Sequence, residues 1–229
     1  MDFIVEGFLK ALQLILSGDP ETYSAVKATI HVSSLSMLVS LVAGIPAGFA
    51  LGYFAFPGKR GLRLVVDTLM ALPTVFIGLV VYAVISSRGP LGSMGLLFTL
   101  EGMAIGQAIL AFPVVAALSA SAVESMDSRL RPTLMSLGVS RTRLFLTSLR
   151  EVRFGLLVAS LNAYGRVTTE VGISMMVGGN IKWHTRTITT AIALETGKGM
   201  FDTGIALGLI LLLIAFAVNL SLSFLRKFE

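Results

Sequence analysis

The sequence predicts an all-α, polytopic membrane helical bundle with five transmembrane helices and an N-terminal amphipathic interfacial helix. Three observations carry that prediction. Apolar residues make up 55% of the 229-residue chain and charged residues 14%, against about 25% charged in soluble domains. The mean hydropathy is +0.85, which leaves too few charges to coat a water-facing surface. Stretches approaching the roughly 20 apolar residues that a hydrocarbon core demands recur along the chain. This balance excludes an ordinary soluble domain, a disordered chain and a nucleic-acid reader. The net charge of +5 then reads as cations placed beside a membrane.

The elements follow in order. Residues 1–18 hold Asp2, Glu6, Lys10, Gln13 and Ser17 on one helical face and Ile4, Phe8, Leu12, Ile15 and Leu16 opposite. That is the pattern of a helix lying in the membrane interface. There is no basic leader region and no small-residue cleavage site, so it is not read as a removed signal peptide. Ala28–Gly58 carries no formal charge and supplies most of the first span, Ser24–Phe54. Thr68–Ser87 is the second span, between Asp67 and Arg88, and Gly102–Val123 is the third, between Glu101 and Glu124. Phe154–Val177 is read as one span with a polar middle, and Thr203–Leu225 is the fifth, closed by Arg226 and Lys227. The whole chain is one membrane domain.

Orientation follows from Lys and Arg in the connections. With residues 124–153 in the cytoplasm, the inside segments hold eleven cations and the outside segments six, and Arg166 lies within a span. The N-terminus is thus expected outside and the C-terminus inside. The inside loop has helix signals of its own. Asp127 is a capping residue, Pro132 suits a first turn, Gly138 suits a left-handed helix end, and Ser140 can cap a second helix. Its first helix offers Leu134 and Leu137 as apolar residues that need a partner's groove. A helix–glycine–helix loop of this length is a docking element rather than a plain anchor. Outside, Thr187–Leu194 is a short apolar stretch that can re-enter or line a cavity.

Within the spans, Gly44, Gly48 and Gly52 form a small-residue stripe, and Gly102/Gly106 and Gly204/Gly208 repeat its spacing, which lets helix backbones approach closely. Pro46, Pro73 and Pro113 sit near the middle of spans one to three and are candidates for helix kinks. Span four is the most informative: Asn162, Tyr164, Arg166, Thr168, Thr169 and Glu170 put polar groups where lipid would penalise them, with Gly165 and Gly172 beside them. Arg166 and Glu170, four apart, fit either an ion pair that seals the bundle or groups that line and gate a pathway. Arg166, Thr168, Thr169, Glu170 and Gly172 are the pathway candidates.

No catalytic constellation is present. There is no phosphate-binding glycine loop ending in Lys-Ser or Lys-Thr, since Gly197-Lys198-Gly199 lacks both the earlier glycine and the hydroxyl. There is no cysteine, and His31 and His184 are too few and too far apart for a metal site. Any ATP used must be bound by another chain. An intramembrane enzyme built on Ser160, His31 or Glu170 would need a nucleophile–base spacing that the sequence does not show. A stand-alone channel or secondary transporter would need inverted repeats, and none is seen.

The loop-then-span stretch resembles the permease subunits of bacterial ABC importers. Gly138 matches the glycine of their cytoplasmic signature and Phe145 the aromatic after it. Pro132-Thr133-Leu134 stand where that signature has Glu-Ala-Ala, and Ser148-Leu149-Arg150-Glu151 replace its Ile-x-Leu-Pro. Leu72-Pro73-Thr74-Val75-Phe76-Ile77-Gly78, Thr169-Glu170-Val171-Gly172 and Thr185-Arg186-Thr187-Ile188 look like the molybdate/tungstate branch, and tungstate-type permeases most. The resemblance implies a homodimer that forms the pathway, two cytoplasmic ATPase subunits holding ATP and Mg, and an extracytoplasmic oxyanion-binding protein. It also implies that Leu134, Leu137, Gly138, Arg141 and Phe145 couple to the ATPase, that this chain holds no cofactor, and that lipid is a neighbour and nucleic acid is not. Molybdate, sulfate or another small solute are the alternative cargoes.

Overall fold

The structure, a computed structural model, describes residues 2–227, with side chains for residues 3–221. The side chains of Asp2, Arg226 and Lys227, used in the sequence reading, lie outside the described ones. Every regular element among the described residues is helical. α1 spans Asp2–Leu16, and α2 follows as one helix over Pro20–Tyr53. The start of α2 is set locally: the Asp19 carboxylate accepts from the Thr22 N–H at 2.8 Å, Pro20 occupies the first turn and Glu21 meets the positive end of the helix dipole. Its 34 residues make a rod about 51 Å long at 1.5 Å per residue. A hydrocarbon core is only about 30 Å thick, so the rod is longer than a straight crossing requires.

The centre of the bundle is α5, Leu100–Glu124, capped by Thr99, whose hydroxyl accepts from the Gly102 N–H at 3.0 Å. α2 lies against it through the glycine stripe. A Cβ on Gly48 would stand 2.3 Å from the Ala116 carbonyl oxygen, and one on Gly52 2.7 Å from that of Ala120. No side chain fits there, so glycine alone permits this approach.

The second predicted span is corrected. Thr68–Ser87 is not one helix: α3, Lys59–Leu69, and α4, Thr74–Ile85, form a pair bent by 94° at Met70–Pro73. Together they follow α5 in the opposite direction. At its C-terminal end, Arg63 donates to Ser121 Oγ at 2.7 Å, and Lys59 lies 3.3 Å from the Glu124 carboxylate. Val66 then packs with Ala117 and Ala120, while Val81 and Ile85 pack with Met103 and Ala104 near the start of α5. The bent pair therefore lies along α5 from Lys59 onwards, where Glu124 answers the cations that hydropathy counts against this stretch. Pro73 is not a kink inside a helix but the residue before α4, whose missing N–H is harmless at that position. Pro46 and Pro113 do lie inside α2 and α5.

A second break stands beside the first. Two short loop helices, α6 over Leu130–Ser136 and α7 over Arg141–Glu151, lead to α8, Arg153–Thr168, which stops before α9, Gly172–Gly178. The single helix expected over Phe154–Val177 is thus interrupted at Thr169–Val171. Ala163 and Val167 pack on Ala111, Val114 and Val115 at the middle of α5. A Cβ on Gly172 would sit 2.9 Å from Thr74 Oγ1 and 3.1 Å from Val75 N, so the two interruptions adjoin.

α10, Ile188–Gly197, is opened by a Thr187–Thr190 capping box and is packed, with Ala25 of α2, against α11, Phe201–Lys227. α1 runs alongside the first half of α11. Phe3 meets Phe201 with ring centroids 5.9 Å apart, the Lys10 ammonium reaches Asp202 Oδ2 and Thr203 Oγ1 at 2.6 Å each, and Gly7 lies under Ile205. Ile4, Phe8, Leu12 and Leu16 remain exposed on its far side.

Candidate functional site

Two places bring the predicted residues together: the adjoining helix breaks at mid-height, and the loop at the far end. At the breaks, Glu170 is 6% exposed. Its carboxylate accepts from the Ile173 N–H at 2.9 Å, which caps α9. Its carbonyl accepts from Ser174 Oγ at 3.2 Å and from Thr189 Oγ1 at 3.0 Å, tying α10 to the break. Gln107 of α5 extends the net, donating to Ser174 Oγ at 3.1 Å and accepting from Ser36 of α2 at 3.5 Å. Glu170 is therefore a buried cornerstone of five segments and not a group lining open space.

Arg166 goes the other way. Its side chain is exposed on α8, and among the described residues its guanidinium meets neither a carboxylate nor a hydrogen-bond acceptor. The ion pair with Glu170 does not form. Asn162, Arg166 and Thr169 share one exposed face, with Gly165 between them. Asn162 and Thr169 donate back to the Val158 and Gly165 carbonyls at 2.8 and 2.9 Å. Thr168, one position round, is buried and donates to the Tyr164 carbonyl at 2.8 Å. Because Val167 packs against the middle of α5, this polar stripe stands at mid-height of the bundle.

The neighbouring α4 starts without a side-chain cap, and Pro73, Val75 and Phe76 at its start are exposed. Sequence reasoning missed Gln107, Ser36, Ser174 and Thr189. The signal was an amide in the interior of an otherwise apolar span, since polar side chains inside a membrane bundle bond across helices.

The loop between α5 and α8 keeps its exposed face cationic, with Arg129, Arg131, Arg141, Arg143 and Arg150 all exposed. The Asp127 carboxylate accepts from the Arg129 N–H at 2.8 Å, Gly138 takes φ +74° after α6, and Ser140 caps α7 by accepting from the Arg143 N–H. Leu137 is 72% exposed, but Leu134 is half-buried; Met135, 60% exposed, is the second apolar contact in its place. Phe145 is turned towards the end of α2. This is a small, capped platform whose rim is positive and whose crest is apolar.

Residues 44–228 match the family described as "Binding-protein-dependent transport system inner membrane component". The chain is 48% identical over 219 residues to a tungstate uptake system permease protein of Campylobacter jejuni subsp. jejuni serotype O:2, covering 96% of this chain and 92% of that one. It is 39% identical to a tungstate uptake system permease protein of Peptoclostridium acidaminophilum, over 96% of each. The molybdenum transport system permease protein of Escherichia coli K12 is 31% identical, over 76% of this chain and 79% of that one.

Among solved structures, an inward-facing methionine ABC transporter superposes with a TM-score of 0.71 at 17% identity, over 91% of this chain and 97% of that one. A bacterial alginate ABC transporter in complex with an alginate-bound periplasmic protein gives 0.71 at 18% identity, over 91% and 79%. Those two likenesses are of fold. A chain with a polar stripe at mid-bundle, a capped platform at one end and this pattern of relatives belongs to the binding-protein-dependent transport system inner membrane component family.

Proposed function

We propose that the chain is the permease subunit of an ATP-driven importer for tungstate or a closely similar oxyanion, and that two copies form the pathway. The observation that carries this reading is the exposed Asn162–Arg166–Thr169 face. A central Arg facing lipid would cost about 2.5–3.5 kcal/mol, whereas facing a second copy across water it costs far less. Two copies bring two guanidiniums to one axis, matching the charge of a dianion. The exposed, uncapped start of α4 adds backbone N–H groups near the same height. Binding there is weak enough to release, because Arg166 is a wetted cation and not part of a closed cage. The names of the relatives support the cargo.

The membrane is crossed five times in this reading: by α2, by the bent α3–α4 pair, by α5, by the interrupted α8–α9 pair and by α11. α1 lies at the outer interface with its exposed apolar side in lipid. Residues 124–153 face the cytoplasm, where partner ATPase subunits binding ATP and Mg grip the platform. A binding protein delivers the oxyanion on the opposite side. Reporter fusions at Arg60 and Arg141 are expected to read cytoplasm, and those at Arg88 and Lys198 the outer side. A cytoplasmic signal at Lys198 would overturn this orientation.

The functional test is oxyanion uptake into vesicles holding the permease, ATPase and binding protein. Arg166→Ala is expected to cut uptake at least about tenfold, the scale of one lost charge-assisted contact, with the complex intact. Arg166→Lys keeps the charge and should recover most of it. Full uptake by Arg166→Ala would remove the α8 face from the pathway.

A further inference from the structure

The platform has two ways to hand a movement to the bundle. One is along the chain: Val152 both ends α7 and opens α8, with its N–H donating to the Ser148 carbonyl and its own carbonyl accepting from Leu156. The other is sideways, into the last turn of α2. There the Phe145 ring stands edge-on to Phe49, centroids 5.2 Å apart at 68°, and to Tyr53 at 6.0 Å and 82°. Phe49 and Tyr53 stack on each other at 5.2 Å. The Arg131 guanidinium lies 5.2 Å above the Tyr53 ring. Thus α6, through Arg131 on Tyr53, and α7, through Phe145 on both Phe49 and Tyr53, converge on the end of α2. Val123, Met126, Leu149 and Val152 close the cluster, and Leu156, in the first turn of α8, lies against it.

We propose that Phe49, Tyr53, Phe145 and Arg131 are the positioning joint that passes movement of the platform to α2, so that α7 moves with α2 and swivels against α8 at Val152. The inference rests on the reading of residues 124–153 as the ATPase platform. Aromatic rings locked edge-to-face and under a cation have few ways to slide, because quadrupole and cation–π attraction both depend on angle. Gly48 and Gly52 sit on either side of Phe49 along α2 and press its backbone onto Ala116 and Ala120. α2 therefore cannot shift without α5, and a push on the platform reaches the centre of the bundle. The joint at Val152 is a lone residue between two helices, which suits a swivel.

The chain has no cysteine, so pairs of inserted cysteines in the permease, labelled before the ATPase is added, carry spin labels without background from this chain. In the permease–ATPase complex, labels at Thr142→Cys and Ala47→Cys should keep one distance with and without ATP, whereas Thr142→Cys and Val158→Cys should change theirs. The reverse pattern overturns the proposal. Phe145→Leu and Tyr53→Leu should still co-purify the ATPase but fall about tenfold in oxyanion moved per ATP, within the range of coupling mutations, and Tyr53→Phe, which keeps the ring, should not. Loss of ATPase binding in Phe145→Leu would make it a docking contact, and unchanged coupling would remove the joint. Wild-type permease that binds no ATPase would sink the platform reading alone. The joint is then read in the isolated permease, where Phe145→Leu should broaden the Thr142–Ala47 distance and an unbroadened distance refutes it.

Discussion

Gly48→Leu is expected to leave little folded permease in the membrane. The first added carbon would lie 2.3 Å from the Ala116 carbonyl oxygen, 2.7 Å from Ser119 Cβ and 2.9 Å from the Ala116 Cα. Two of those three atoms are backbone, so no rotamer change relieves the clash and α2 must lift off α5. Overpacking a tight core costs about 1–3 kcal/mol and more where backbone must move. Against a total stability of roughly 5–15 kcal/mol, that is a large fraction. Gly208→Ala is the control, since a Cβ there meets nothing within 4 Å. The measurement is thermal unfolding in detergent with yield from membranes. A Gly48→Leu protein that melts within a degree or two of wild type would mean that α2 and α5 are not packed at this point.

Glu170→Ala is expected to destabilise the protein through its hydrogen bond and not through a lost ion pair. It strands the Ile173 N–H in a place where Ile173 is fully buried. An unsatisfied buried group costs about 1–3 kcal/mol. Glu170→Gln retains an acceptor of the same reach and should recover most of this. Arg166→Ala removes an exposed side chain that has no partner among the described residues and should stay within about 0.5 kcal/mol. A buried pair would behave differently: either single change would cost about 3–5 kcal/mol and the double would restore much of it. Here the double Arg166→Ala, Glu170→Ala protein should melt with Glu170→Ala and not above it. Rescue by the second substitution would show that the two charges meet.

That contrast also marks where sequence reading stops. Spacing of four places Arg166 and Glu170 together only if the helix continues. It ends at Thr168, and the three residues after it turn Glu170 into the bundle while Arg166 stays outside. Hydropathy likewise set the second span at Thr68–Ser87 because Asp67 bounds it and Lys59, Arg60 and Arg63 stand as further charges before it. It cannot know that Lys59 and Arg63 are answered by Glu124 on another helix, or that Pro73 begins a segment instead of bending one. What depends on local chemistry was readable: the glycine stripe at spacing four, the caps at Ser140 and Gly138, and the amphipathic first helix. What depends on a distant partner was not, as with Gln107 and the half-buried Leu134.

The seam between α1 and α11 has a consequence for how the chain is made. Lys10 and Asp202 are 192 positions apart, so α1 is completed by a helix that is made much later than itself. At about 5–20 residues per second, α1 waits some 10–40 s before its partner exists. During that interval Gly7 and Ala11 have nothing to lie on, and water would expose Phe3, Ile4, Phe8 and Leu12 to the risk of aggregation. A lipid surface shelters those side chains while leaving Lys10 free. The apolar flank that α1 still shows in the finished protein is the same one that lets it wait until the start of α11 arrives to capture it.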